Sequence, residues 1–66
     1  MGVKNRLKEI RMREYMMSAV EFAKLLGIKQ STYSQWESGV NNPTLQKAVE
    51  IARILNKKID EIWYEE

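Results

Sequence analysis

The chain has no cysteine and no histidine. Disulfide staples are therefore excluded, and so are the zinc sites built on thiolate and imidazole. Nucleophile–base pairs that need cysteine or histidine fall away with them, and no glycine-rich phosphate loop takes their place. Three glycines and one proline are all that interrupt 66 residues. Turns are few, and no linker, repeat or low-complexity segment separates one part from another. No apolar run is long enough to span a bilayer, and the charged N-terminal stretch does not read as a signal peptide. Met1-Gly2 opens like a myristoylation signal, but Arg6 stands where Ser or Thr is required. The expected location is the cytoplasm. A chain this short buries only about 60% of its unfolded surface. It is expected to form one small domain, residues 1–66, secured by close helix packing or by a second copy of itself.

The net charge of +2 hides an asymmetry. Residues 1–29 carry seven bases and three acids, a net of +4, whereas residues 30–66 carry four bases and six acids, a net of −2. A basic part facing a polyanion gives this distribution, and so does ordinary surface mixing. The carboxylates are scattered or sit beside bases at helical spacing, the pattern of a solvated surface. No catalysis, metal or cofactor is expected.

The informative stretch is Ser18–Pro43, SAVEFAKLLGIKQSTYSQWESGVNNP. Ser18 and Glu21 form a capping box that starts a helix, Ala19 to Leu26, with Phe22, Ala23 and Leu26 on its apolar face. Gly27 supplies the left-handed residue that ends it. A second helix, Gln30 to Ser38, sets Gln30, Ser31, Thr32, Ser34 and Gln35 around the anchors Tyr33 and Trp36. Short neutral donors and acceptors of this kind can read base edges in a DNA major groove. Before this pair, a helix is expected over about Val3 to Tyr15. After it, Thr44 caps a helix striped by Leu45, Ala48, Ile51, Ala52 and Leu55, and a short last helix covers about Ile59 to Trp63. The expected fold is all-α with no strand. Its core is Leu7, Ile10, Phe22, Ala23, Leu26, Ile28, Trp36, Leu45, Ile51, Ala52, Leu55, Ile59 and Ile62, joined by Tyr33 with its hydroxyl at the rim.

Five segments in order, SxxEFAxLLGI, STYSQWESG, Pro43-Thr44-Leu45, AVEIARILN and IDEIW, resemble the Cro/phage-repressor type (XRE-like) of helix-turn-helix domain. The likeness runs from about Leu7 to Trp63, and its most specific element is Trp36-Glu37-x-Gly39-x-x-x-Pro43. It implies a compact five-helix lambda-repressor-like domain with the helix-turn-helix at about residues 18–38. It also implies double-stranded DNA as the partner, with the third helix in the major groove and the second across the backbone. Carried over residue by residue, the DNA-binding set is Ser18, Lys29, Gln30, Ser31, Thr32, Ser34, Gln35 and Ser38. Arg11 and Glu37 match the family's interhelical ion pair, a brace in preference to a phosphate contact.

Three departures stand out. Ala19 occupies a position where relatives commonly hold a phosphate-gripping glutamine. The connection through Tyr15, Met16 and Met17 is about one residue longer than usual. Lys29 takes an N-cap position, where it cannot accept the cap hydrogen bond and where its cation opposes the helix dipole. A small repressor is the leading expectation, bound to a palindromic operator as a homodimer through the last helix (Ile62, Trp63, Tyr64). The alternative on the same fold is a protein-interaction or antitoxin-like module.

Overall fold

The computed structural model describes residues 2–66. Met1, and with it the Met1-Gly2 start considered above, lies outside them. Both ends of the described chain are extended. Strand β1 (Val3–Asn5) pairs antiparallel with β2 (Trp63–Glu65), in the register Val3 to Glu65, Lys4 to Tyr64 and Asn5 to Trp63. The ladder continues past both strands, since Arg6 N–H donates to the Ile62 carbonyl (2.8 Å) and Glu66 N–H to that of Gly2 (3.2 Å). Valine, tryptophan and tyrosine favour a pleated, half-buried surface, which is why these ends leave the helix. Between the strands lie five helices: α1 (Leu7–Ile10), α2 (Ala19–Leu26), α3 (Gln30–Ser38), α4 (Leu45–Ile54) and α5 (Ile59–Ile62). The fold is a five-helix, mostly helical domain, as expected, with one small sheet added.

Four expectations are corrected. The first helix begins at Leu7, because Val3–Asn5 is strand. The last ends at Ile62, and Trp63 turns back into β2. Leu45 is not core but 76% exposed, at the first position of α4 just after the Thr44 cap, where no preceding helical turn covers it. Ile62 is fully buried and Trp63 only 7% exposed. Both complete the chain's own core and leave no more than an edge of Trp63 for the dimer face expected of them, and Tyr64 lies under the Arg6 guanidinium, 4.2 Å from its ring centre.

The extra residue before α2 has a structural answer. Helix α1 runs on into a π-helical segment, Arg11–Tyr15, whose wider turn takes up one additional residue. Met16 then adopts a left-handed conformation (φ 51°) that stops the helix. The buried set contains Leu7, Ile10, Phe22, Ala23, Leu26, Tyr33, Trp36, Ala48, Ile51, Ala52, Leu55, Ile62 and Trp63, with Ile28 and Ile59 packed against it. Tyr15, Phe22 and Tyr33 stack edge-to-face in series, with ring centres 5.3 and 5.5 Å apart. This aromatic file joins the first helical segment to α2 and α3.

Candidate nucleic-acid interface

Helix α2 starts on the expected capping box. The Ser18 hydroxyl accepts from Glu21 N–H (3.2 Å), and the Glu21 carboxylate accepts from Ser18 N–H (3.0 Å). Hydrogen bonds to its carboxylate, from the Ser18 backbone N–H first and from the Ser18 hydroxyl second, hold the Glu21 carboxyl below its ordinary value of 4.5. Gly27, at φ 73°, ends α2, and Ile28 N–H returns to the Ala23 carbonyl (3.0 Å). Three residues separate α2 from α3, and their tightness fixes the angle at which α3 leaves.

On α3, Tyr33 and Trp36 are buried, while Gln30, Ser31, Ser34 and Gln35 are exposed and Thr32 is half-buried. At 3.6 residues per turn, the four exposed polar residues span an arc of about 140° on the face opposite the two anchors. Lys29 stands exposed at the mouth of the helix and Ser38 at its far end. Lys29 and Thr32 also line a groove toward the start of α4, with Asn42, Thr44 and Lys47 on its other wall. The expected residues are therefore brought together, but they are not equivalent. The Ser38 hydroxyl donates to the Gln35 carbonyl (3.2 Å), a C-terminal cap. The Gln35 side-chain oxygen accepts from Asn41 Nδ2 (2.8 Å), which turns that amide into a fixed orientation. Gln30 carries no such tether among the described residues. The Ser18 hydroxyl is exposed but already engaged in the α2 capping box.

The N-termini of the longer helices differ. Ser18 caps α2, and Thr44 caps α4 by accepting from Lys47 N–H (3.3 Å). Lys58 is also a lysine N-cap, but Glu61 reaches back to its N–H (2.8 Å). Helix α3 has neither a side-chain cap nor an acid in its first turn. Its first N–H groups and the positive end of its dipole are left to solvent beside the Lys29 cation, an arrangement that favours an anion. Lys29→Ser is therefore expected to raise stability by about 1 kcal/mol. It is also expected to lower the salt dependence of DNA affinity by about one unit of slope. Thermal melts and binding titrations at several ionic strengths read the two effects. Higher stability with an unchanged slope would remove Lys29 from the interface.

Two further positions support the face without any signal in the sequence pattern. Asn5 donates to the Trp36 carbonyl (2.7 Å) and accepts from Leu7 N–H (3.1 Å), so β1 holds the end of α3 and caps α1 at once. Asn41 aligns Gln35 from the turn that follows α3. Each is an asparagine in a loop or strand acting on a distant partner, a pattern that leaves no periodic trace.

Arg11 and Glu37 form the expected brace. Arg11 Nε meets Glu37 Oε2 at 3.1 Å, Nη2 meets Oε1 at 3.4 Å, and Nη1 donates to the Met17 carbonyl at 2.9 Å. The Tyr33 hydroxyl donates to the same carboxylate. Burial first, and then this carboxylate, push the Tyr33 phenol well above its ordinary value of 10.0.

A polar face on an anchored second helix, set by a short glycine turn against a capped first one, defines a helix-turn-helix domain. A helix-turn-helix family model matches residues 7–62. This chain belongs to that family, in its XRE-like branch. Two proteins of Archaeoglobus fulgidus are similar to it, each described as an uncharacterized HTH-type transcriptional regulator. One is 38% identical over 61 residues, 92% of this chain and 84% of the relative. The other is 34% identical over 61 residues, 92% of this chain and 86% of the relative. No helix among the described residues is long and apolar enough to cross a membrane.

Proposed function

We propose that this protein is a transcriptional regulator that binds specific double-stranded DNA sequences, reading the major groove with α3. The supporting observation is the exposed Gln30, Ser31, Ser34 and Gln35 face on a helix whose other side is locked by buried Tyr33 and Trp36. A glutamine amide matches adenine N6 and N7 in bidentate fashion, while serine contacts bases through water or through thymine methyls. Phosphates on either side meet the bare N-terminus of α3 with Lys29, and the N-terminus of α2 with the Ser18 hydroxyl and backbone N–H groups. The Ala19 departure leaves that second contact to the backbone. Repression is the proposed outcome, because occupying a promoter requires nothing of the protein beyond this face. The proposed location is the cytoplasm.

Selection of bound sequences from a random DNA pool tests the reading, and an enriched motif is the expected result. Gln30→Ala should then cost about 1–3 kcal/mol on the selected site and relax preference at one base pair. Equal losses on selected and random DNA would end the base-reading role of Gln30.

A homodimer on a palindromic site is part of the proposal, through a face other than the one first expected. Val3, Asn42, Pro43, Leu45, Ala48, Ile59 and the outer edge of Trp63 line a groove of about 250 Å³ that contains no charged side chain. Leu45, 76% exposed, stands on its rim. The occupant that fits is a second copy: a two-fold axis there inserts each Leu45 into the other's uncharged groove. One protomer measures 30 × 23 × 22 Å, so two side by side suit recognition helices one DNA turn, about 34 Å, apart.

A further inference from the structure

We infer that the Tyr33 hydroxyl is a positioning group for DNA recognition: by donating to Glu37 it fixes a clamp that sets α3 against the N-terminus of α2. The inference rests on the DNA-binding reading above and adds a residue that the base-reading face does not include.

Tyr33 is fully buried, and its ring meets Phe22 of α2 edge-on at 5.5 Å. The ring alone would hold α3 to α2 as an aliphatic side chain does. The hydroxyl does more, because it reaches Glu37 one helical turn later. Glu37 lies in the last turn of α3, where the negative end of the dipole opposes a carboxylate. Extra donors are what keep it there. Arg11 supplies a two-pronged contact to Glu37, and its third nitrogen donates to the Met17 carbonyl at 2.9 Å. Met17 immediately precedes Ser18, the N-cap of α2. One hydrogen-bonded file thus runs from Tyr33 inside α3, through Glu37 and Arg11, to the residue before the α2 cap.

These are the two elements that a duplex meets, one at the bases and one at the phosphates. Their mutual placement decides whether both contacts form at once. The clamp also withdraws Arg11 from solvent, since its side chain is only 14% exposed and all its donor nitrogens are engaged. A cation that would otherwise seek phosphate is spent on geometry. Removing the hydroxyl leaves Glu37 with one partner and lets the far end of α3 drift relative to Ser18.

Tyr33→Phe keeps the ring and deletes only the hydroxyl. Measured well below the melting temperature, it should bind the selected DNA site roughly tenfold more weakly while holding random DNA within about twofold. The Arg11 Nε–H resonance should exchange with solvent faster than in the wild type. Glu37→Gln should lose selectivity in the same direction, and adding Tyr33→Phe to it should cost less than on the wild-type background. Unchanged selectivity in Tyr33→Phe, or equal losses on selected and random DNA, would overturn the positioning role while leaving the DNA reading intact. A wild-type chain that selects nothing from the random pool would overturn that reading and this inference with it.

Discussion

Replacing Trp63 with alanine is expected to leave the chain largely unfolded at room temperature. Trp63 is 7% exposed and closes the core beside Ile62. Truncating a buried aromatic to alanine costs about 3–5 kcal/mol, transfer and cavity terms together. A single core in a domain of this size supplies no more than about 3–5 kcal/mol of net stability. The loss therefore matches the whole. Circular dichroism melts would show a transition near or below room temperature, and Trp63→Phe would restore most of the fold. The indole Nε1 has no acceptor among the described residues, so phenylalanine forfeits no hydrogen bond there. An alanine variant with a melt close to wild type would mean that β2 is dispensable.

Leu45→Glu is expected to do the opposite. Leu45 is exposed in the first turn of α4, so the fold should hold within about 0.5 kcal/mol. A carboxylate in that turn even complements the helix dipole. The proposed dimer should dissociate, because each copy would press a charge into an uncharged groove. Solution mass should halve, and affinity for a site with two half-sites should fall by roughly 10²-fold or more as avidity is lost. A wild-type chain that is monomeric on such a site would reject the interface outright.

These two variants reverse what hydrophobic periodicity suggests, and the reason is instructive. The stripe of Leu45, Ala48 and Ala52 identifies a helix face but not how far along its axis neighbours extend. Trp63 was legible as apolar surplus, yet its burial depends on pairing with Asn5, 58 positions away in sequence. Two three-residue strands are too short to announce themselves by alternation. The helix-turn-helix, by contrast, is specified locally: Ser18 with Glu21, Gly27, Gly39 and Thr44 each act within a turn of where they stand. Hence the exposed polar face of α3 was readable from sequence, whereas the asparagines that orient it were not. The ion pair of Arg11 and Glu37 was readable only through resemblance. Its third partner, the Tyr33 hydroxyl, is set by the packing of α3 against the first helical segment, which the sequence pattern does not reveal.

The closing strand pair has a consequence for synthesis. Helices α2 to α4 are complete once residue 54 has been made, yet Ile62 and Trp63 of the core are still to come. A growing chain leaves the ribosome with its N-terminal part first. Here that part must wait with its apolar faces uncovered until the last strand arrives and β1 receives it. The domain gains its stability in a single late step, and chains that stop short of β2 should be degraded.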